Sequence, residues 1–511
     1  MPTQYRTCVS MSTDPPPALT PIQKSEGVTP AERYLERLCT RSFLSLWSYP
    51  RVFRDQGRSS DGTAKEVCDL VVVFGEHIII FSDKHVAFGD TGDLQRDWDR
   101  WFRRAVSQSA KQIWGADRWI REHPDRLFLD PDCTQQFPLE LPGRHAARVH
   151  RIVVAHGVSA RIRRQFGGTG TLVIAPSLVG VGSHRLPFTI GQLDPGRGFV
   201  HVLDDASLEV LLGTLDTVSD FTSYLAKKEA FIRSGRLTLA AGEDDMLGYY
   251  LRYVNKQGEH DFVIPERAMG ITIGEGFWES FAGSPERARQ IRDDRVSYLW
   301  DSLIDRCSEE VLAGTSFFSS AGSVSQTERA IRVLASEPRL HRRMLSEALL
   351  DQLRRCPPGN RAIRRLFFGP PDSRCYILLV YPRSPGSSDE EYRGQRAATL
   401  YACCMVGRLK HPHCEKIMGI AWEPGTEKRR SHDIVYVDGR SWTADDQAEA
   451  LELQKQFDVL TGREMYRVHD DEYRPNNQTA RGPRIAPVKG RDRNSSCPCG
   501  SGRKYKRCCG H

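Results

Sequence analysis

Two apolar runs that are separated by only two residues most constrain how this chain can fold. Asp69–Phe74 (DLVVVF) and His77–Lys84 (HIIIFSDK) are rich in β-branched residues, and only Gly75 and Glu76 lie between them. β-Branched residues favour strands, and a two-residue connection joins antiparallel neighbours. Strands that are apolar along their whole length are typical of sheets covered on both faces. The sequence therefore predicts a central β-hairpin in a sheet flanked by helices.

Helical patterns lie on both sides of this hairpin in the sequence. Apolar residues recur at helical spacing over Ala31–Leu46, and Thr29 followed by Pro30 predicts where that helix begins. A longer helix is predicted over residues 93–122. Three further strands and a closing helix are predicted at Arg151–Ala155, Thr171–Ala175, Phe199–Leu203 and Ser219–Ser234. This order predicts an α/β domain that spans residues 30–237.

Composition separates this domain from the rest of the chain. Residues 1–29 are rich in proline and lack an apolar signal core, so we expect a disordered tail and a cytoplasmic protein. Residues 238–470 are predicted to form a second, α+β domain of unknown role, followed by a basic linker over 471–493 and a small terminal motif over 494–511. No apolar run approaches the ~18 residues that a membrane span needs, so no membrane partner is expected. Strands of the second domain are predicted at Cys375–Tyr381, Lys416–Trp422 and Asp433–Val437.

The net charge of +7 is concentrated near the C-terminus. Thr479–His511 contains nine basic residues and a single acidic one, Asp492, so this segment carries more than the whole net charge. Basic segments attract anionic surfaces. We therefore expect an anionic partner at the tail, whereas the net charge indicates little about the two domains.

Four of the fourteen cysteines cluster in the terminal motif, at Cys497, Cys499, Cys508 and Cys509. A C-x-C pair, a glycine-containing loop and two further cysteines provide four soft ligands, which is typical of a closed, tetrahedral zinc site. Because no secretion signal is recognisable, the thiols are expected to be reduced and able to bind metal. Cys403 and Cys404 lie instead in an apolar stretch and are predicted to be buried free thiols.

The terminal segment closely resembles the SEC-C motif, the zinc-binding tail of the preprotein translocase ATPase that is also appended to many other proteins. The pattern of that motif is matched almost letter for letter from Cys497 to Gly510 (CPCGSGRKYKRCCG). The resemblance implies a structural zinc ion and docking to a protein or ribosomal partner. It does not imply catalysis by this segment.

A second group of polar residues lies at the ends of the predicted hairpin strands. Asp69 begins one strand and Lys84 ends the other, so the two side chains could meet at one edge of the sheet. Carboxylate oxygens hold Mg²⁺, and a nearby cation can stabilise a phosphate and orient the attacking water. Glu32 and Glu36 on the preceding helix could add a carboxylate. One face of the longer helix could contact nucleic-acid phosphates through Arg100, Arg104, Gln108 and Lys111.

This arrangement resembles the PD-(D/E)XK nuclease superfamily, and most nearly its restriction-endonuclease-like Mrr and NERD branches. The resemblance implies a restriction-endonuclease-like mixed sheet flanked by helices, and Mg²⁺-dependent cleavage of DNA. Asp69 matches the first metal-binding acid and Lys84 the catalytic lysine. Glu36 or Glu32 matches the helix acid of some members, and Gln108 matches the polar residue of the second helix.

The chain departs from that pattern at the second acid, which should lie two residues before the lysine, where this sequence has Ser82. Strand alternation puts Ser82 and Lys84 on one face and Asp83 on the other. Asp83 could reach a metal through a bulge, Glu66 could substitute for the missing acid, or the site could be degenerate. The leading hypothesis is a Mg²⁺-dependent DNA nuclease with a zinc-binding tail. The alternative is a non-catalytic adaptor that binds protein, ribosome or nucleic acid through that tail.

Overall fold

The computed structural model describes residues 20–57, 62–315, 324–357, 359–368, 374–424, 432–461, 467–469, 472 and 484–486. These residues fall into two compact units. The N-terminal unit comprises residues 20–283 and 301–339, and the C-terminal unit comprises residues 284–300 and 340–486, with the same gaps. Both units combine helices with mixed sheets, so the predicted mixed α/β class is confirmed.

The helices and strands are numbered in chain order. Helices α1 to α14 are Pro30–Phe43, Leu94–Trp101, Gln108–Glu122, Ser159–Phe166, Asp205–Thr214, Val218–Arg233, Glu243–Arg252, Phe277–Ala282, Pro285–Asp294, Tyr298–Leu312, Val324–Ala335, Arg339–Arg355, Asp389–Lys410 and Ala444–Phe457. Strands β1 to β15 are Ser48–Arg54, Lys65–Phe74, His77–His85, Arg148–His156, Val173–Val179, Thr189–Gln192, Val200–Leu203, Leu237–Ala240, Ile271–Ile273, Ala362–Phe368, Arg374–Val380, Lys416–Trp422, His432–Asp438, Arg467–His469 and Arg484–Ala486. Among the helices in the described ranges, none is long and apolar enough to cross a membrane.

A five-stranded sheet with the order β1-β2-β3-β4-β7 forms the centre of the N-terminal unit. β2 is antiparallel to both β1 and β3, and the pairing of Phe74 with His77 closes the predicted hairpin. β4 and β7 continue the sheet parallel to β3. A parallel neighbour requires a crossover, which α2, the π-helical turn Phe102–Ser107 and α3 provide. The hairpin and the long helix predicted from the sequence are both confirmed.

Helices α1 and α3 pack on this sheet. α1 contacts β1, β2, β3 and α5, and α3 contacts β2, β3 and β4. The predicted start of α1 is confirmed, because the Thr29 side chain accepts a hydrogen bond from the Glu32 amide and the Glu32 side chain accepts one from the Thr29 amide. This reciprocal capping satisfies amides that the first helical turn leaves without partners.

A second sheet of the N-terminal unit has the order β6-β5-β8-β9, and a buried ion pair joins the helices that precede and follow β8. The Lys228 ammonium of α6 donates a hydrogen bond to Glu243 at the start of α7, and Tyr224 donates to the same carboxylate at 2.8 Å. Lys228 and Glu243 are each only 2% exposed. Charges this deeply buried are tolerated because each one satisfies the other.

Two segments belong to the N-terminal unit although the sequence predicts them elsewhere. Lys24, in the predicted disordered tail, donates hydrogen bonds to two backbone carbonyls and lies 4.2 Å from the Tyr49 ring. Glu328 of α11 accepts a hydrogen bond from Trp47 Nε1 at 2.6 Å. Such contacts extend this unit beyond the predicted boundary at residue 237.

The C-terminal unit is built around the sheet β10-β11-β12-β13, in which β11 and β12 are parallel. α13 connects these two strands and packs on β11, β12, β13 and α14. Cys403 and Cys404 of α13 are fully buried in the apolar core together with Cys375 and Cys414. The prediction of buried free thiols is therefore confirmed, as are the three strands predicted in this region.

Replacing Lys228 by methionine should destabilise the N-terminal unit strongly. The Lys228→Met variant leaves the buried Glu243 carboxylate without its counter-charge, which should lower the free energy of unfolding by about 3–5 kcal/mol. The neighbouring Lys227 is partly exposed and forms an ion pair with the exposed Glu259, and Lys227→Met should cost at most about 1 kcal/mol. Urea unfolding of the two variants measures the difference. Equal losses in both would contradict the assignment.

Candidate active site

The candidate site forms where the hydrogen bonding between β2 and β3 ends. The last backbone pair of these strands is Leu70 with Phe81. Beyond it, the Asp83 backbone N–H donates to Oδ2 of Asp69 at 2.6 Å. Because a buried N–H needs an acceptor, the Asp69 carboxylate takes the place of the missing backbone carbonyl. This contact brings the Asp69 side chain of β2 to the carboxyl end of β3.

A β-bulge lies beside Glu66. In the pairing of β1 with β2 the register shifts, and Val67 is the unpaired residue of β2. A bulge re-aims the side chains around it. Glu66 lies close enough to Asp69 for its charge to raise the pKa of that carboxyl, and its Oε2 lies 3.3 Å from Arg51 Nε in an ion pair. The bulge is therefore in β2 beside Glu66, whereas β3 keeps a regular register with β4 to its end.

Burial disfavours the charged forms of Asp69 and Glu66, and a neighbouring carboxylate adds to this effect at each residue. The pKa of Asp69 is raised to about 7, mainly by burial. The hydrogen bond from the Asp83 amide lowers this pKa, whereas the neighbouring Glu66 and Glu32 carboxylates raise it. Burial also raises the pKa of Glu66, although Arg51 opposes this shift. Each carboxylate is thus held close to another negative charge, an arrangement that a cation would relieve.

The two glutamates of α1 are committed to backbone amides. Glu32 accepts a hydrogen bond from the Val28 amide at 2.8 Å, and Glu36 accepts one from the Gly27 amide at 3.1 Å. Both side chains therefore hold the chain that precedes α1. Of the two, Glu32 is the one whose charge raises the pKa of Asp69.

Lys84 lies at the carboxyl end of β3 with its side chain exposed. Within the described ranges its ammonium makes no hydrogen bond or ion pair, so it is available to a ligand. Ser82, two residues earlier, is buried. The position at which the nuclease pattern expects a second acid therefore holds a buried hydroxyl.

Asp83 belongs to a charge network with His156 and Asp205. Its carboxylate lies 3.0 Å from Nε2 of His156, and Oδ1 of Asp205 lies 2.9 Å from Nδ1 of the same ring. Burial alone would lower the pKa of His156, but the hydrogen bonds to Asp205 and Asp83 outweigh it and raise that pKa to about 10. Burial would raise the pKa of Asp205, but the contact with His156 lowers it to about 2. At neutral pH His156 is therefore an imidazolium between two carboxylates.

The sequence patterns do not indicate His156, Asp205 or Arg51. His156 ends β4, and Asp205 begins α5 one residue after β7, so both lie at the carboxyl ends of parallel strands. Functional side chains often gather at this edge of an α/β sheet. The signal that could have indicated His156 and Asp205 is a polar residue at the end of the apolar run that forms β4 or β7. Arg51 has no comparable signal because its role depends on the pairing of β1 with β2.

The predicted nucleic-acid face is exposed on the crossover helices. Its four side chains form no hydrogen bond or ion pair with other described residues, so their polar groups are free to bind a ligand. These residues are Arg100, Arg104, Gln108 and Lys111.

The Asp69–Glu66 pair suits magnesium better than a metal that needs several side-chain ligands. Across the described ranges, no group of three or more His, Cys, Asp and Glu side chains is arranged to hold a metal ion. Mg²⁺ keeps several waters and is commonly bound through one or two carboxylates and substrate phosphates. The Asp69 and Glu66 carboxylates, which are both half-buried, could supply such ligands.

Comparison with known proteins identifies one part of the chain. Residues 493–510 match the SEC-C motif, which is generally a zinc-binding motif, so the predicted terminal motif is confirmed. At a stringent significance level, no curated protein and no solved structure matches the chain. The match covers the four predicted zinc ligands, which lie outside the described residues: Cys497, Cys499, Cys508 and Cys509.

The network around His156 should make stability depend on pH. The pKa of His156 in the folded protein, about 10, lies above its ordinary value of 6.5. The imidazolium therefore stabilises the folded state fully below pH 6.5, and this contribution is lost as the pH rises through 10. The contribution of Asp205 is present above its ordinary pKa of 3.8 and is lost as the pH falls through about 2. The difference in unfolding free energy between wild type and His156→Gln should therefore be largest between these two ordinary values, and small above pH 10.

Urea unfolding at about pH 5, 8 and 10 measures this difference. His145→Gln, which changes an exposed histidine, serves as the control and should match wild type at every pH. A loss in His156→Gln that stays constant from pH 5 to pH 10 would show that the imidazolium charge is not what stabilises the network.

Proposed function

We propose that the N-terminal unit is a Mg²⁺-dependent nuclease domain acting on DNA, and that the terminal SEC-C motif binds a structural zinc ion used for docking. The observation that carries the first part is the pair of neighbouring carboxylates, Asp69 and Glu66, of which Asp69 accepts a hydrogen bond from the Asp83 amide near the end of β3. Lys84, with its uncommitted ammonium, directly follows Asp83 in the chain.

The topology around these residues supports a restriction-endonuclease-like fold. The elements run in the order α1, β1, β2, β3, α2–α3 and β4, which is the order of helix, strands, helix and strand that the sequence resemblance implies. The first three strands are antiparallel and the fourth is parallel to the third. The carboxylate pair and Lys84 belong to the two central strands of this arrangement.

Each residue of the site has a distinct role under this proposal. Asp69 and Glu66 would hold Mg²⁺, which when bound supplies an activated water and neutralises phosphate charge. Lys84 would bind the phosphate and stabilise the charge that develops on it. The Asp83 amide orients Asp69, and His156 in turn fixes Asp83 through its carboxylate.

The exposed face of the crossover helices extends the site toward nucleic acid. Contacts to phosphates position a protein on a duplex without reading its sequence. We therefore assign this positioning role to Arg100, Arg104, Gln108 and Lys111.

A non-catalytic adaptor is the second candidate, and two observations favour it. Ser82 stands where the nuclease pattern has its second acid, and the Asp83 carboxylate is already bound to His156. An adaptor of this kind would bind nucleic acid through the helix face and a protein or ribosomal partner through the zinc motif. It would retain DNA without cutting it.

The nuclease proposal predicts metal-dependent cleavage of plasmid DNA that requires Asp69 and Lys84. Asp69→Asn keeps an oxygen acceptor for the Asp83 amide but removes the charge, and Lys84→Ala removes the phosphate-binding cation. Each should slow cleavage with Mg²⁺ or Mn²⁺ by at least about 100-fold. Agarose-gel assays under single-turnover conditions measure the rates.

Lys65→Ala is the matched control for the lysine, because Lys65 is an exposed residue at the start of β2 and its loss should leave the rate unchanged. Mg²⁺ should also raise the thermal unfolding midpoint of wild type and not that of Asp69→Asn. Cleavage that survives both site substitutions would refute the assignment. Binding of DNA without any cleavage by wild type would favour the adaptor.

The zinc motif predicts the loss of one metal ion on substitution of a single cysteine. Purified wild-type protein should contain about one zinc per chain, and Cys497→Ser should contain close to none, because a tetrahedral thiolate site depends on all four ligands. Cys356→Ser changes a half-buried cysteine outside the motif and should keep the zinc. Metal analysis by mass spectrometry measures the content. Equal zinc in wild type and Cys497→Ser would rule out this ligand set.

A further inference from the structure

A cleft of about 480 Å³ opens on the N-terminal unit beside α3. Cavities that hold small ligands have volumes of roughly 300–1,000 Å³. Such cavities are usually apolar, whereas this one is lined almost entirely by charged side chains, so its ligand must be chosen by charge. The lining consists of Asp117, Arg118, Arg121, Glu122, Arg144, Arg151 and Gly198.

The cleft has an excess of positive charge that its own acids do not balance. Four guanidinium groups face two carboxylates. Asp117 is shared between two of the arginines, since it lies 2.7 Å from Arg121 Nε and 2.6 Å from Arg151 Nη2. The other acid, Glu122, is exposed to solvent. Two positive charges therefore stay without a counter-charge inside the cleft.

Arg151 forms a fixed wall of this cleft. Its side chain is buried, its Nε and Nη2 donate to Asp117, and its Nη1 donates to the Val149 carbonyl at 3.1 Å. Gly198 packs so closely on it that a Cβ atom there would lie 2.2 Å from the Arg151 Cζ atom. The Gly198 carbonyl in turn accepts a hydrogen bond from Trp114 Nε1 at 2.9 Å. The guanidinium is thus held in one orientation before any ligand arrives.

Arg118 and Arg144 provide the uncommitted donors. Both side chains are exposed, and within the described ranges neither forms a hydrogen bond or an ion pair. Removing either one therefore breaks no described hydrogen bond or ion pair of the fold. Their ten N–H bonds are free for a ligand, because each guanidinium carries about five donors.

We propose that this arginine cleft binds a small phosphorylated molecule. A terminal phosphate carries about two negative charges at neutral pH, which matches the two unbalanced guanidinium charges. The planar fork of a guanidinium pairs with two phosphate oxygens at once, so several arginines around one cavity favour phosphate over compact monovalent anions. None of the cleft residues belongs to the candidate active site, so the proposal is independent of the nuclease assignment.

Isothermal titration of the full chain with inorganic pyrophosphate, at low ionic strength and without Mg²⁺, tests the proposal. Wild type should bind one pyrophosphate in the cleft. The double variant Arg118→Gln/Arg144→Gln should bind it about a hundredfold more weakly, because a hydrogen bond to a charged group accounts for roughly a tenfold change in affinity. Its thermal unfolding midpoint should match that of wild type.

Arg164→Gln, which changes an exposed arginine of α4 outside the cleft, is the matched control and should bind like wild type. Asp69→Asn should also bind like wild type. Equal affinity of wild type and the double variant would overturn the proposal, since the observed binding would then belong to the basic C-terminal segment. Tighter binding of citrate than of pyrophosphate would overturn the choice of phosphate.

Discussion

The parallel pairing of β4 with β3 is the constraint on which the N-terminal unit depends. Parallel neighbours cannot be joined by a hairpin, so the chain crosses the sheet through α2, the π-helical turn and α3. The same pairing places the polar residues of β3 and β4 in two separate groups along the strands. Asp83 near the end of β3 and His156 at the end of β4 meet at one edge, whereas Arg151, nearer the start of β4, reaches Asp117 of α3. A shift of this register would separate both groups at once.

Asp69 combines a structural role with a chemical one. Its carboxylate replaces the backbone acceptor that β2 no longer offers to Asp83, which explains why a polar side chain occupies this position. An asparagine would fill that structural role without the cost of burying a charge beside Glu66. An aspartic acid, whose pKa is raised here to about 7, adds a negative charge that a bound cation would stabilise. This charge favours the nuclease proposal over the adaptor. Ser82, at the position of the second acid, favours the adaptor.

Sequence patterns predict those elements of the fold that are determined by residues close together in the chain. The hairpin and the crossover helix follow from apolar periodicity and a short connection, and both are confirmed. β1 is not predicted because Pro50 interrupts its pattern, and pairing with β2 is what makes it a strand. The Trp47–Glu328 hydrogen bond joins residues far apart in the sequence, so spacing alone indicates neither it nor the limits of the unit. The partners of His156, Asp83 and Asp205, are also distant from it in the sequence, which is why the sequence leaves the second acid of the site open.

Two cationic features of the chain differ in what they can recognise. Thr479–His511 carries nine basic residues and one acid, and a segment of this kind attracts polyanions in general, with an affinity that falls steeply with salt. The arginine cleft has fewer unbalanced charges, but Arg151 has a fixed direction because Asp117 and Gly198 hold it. Oriented guanidinium groups discriminate between anions by shape, which a high charge alone cannot do. The net charge of +7 therefore favours the attraction of anions in general, whereas the proposed selectivity among anions depends on the cleft.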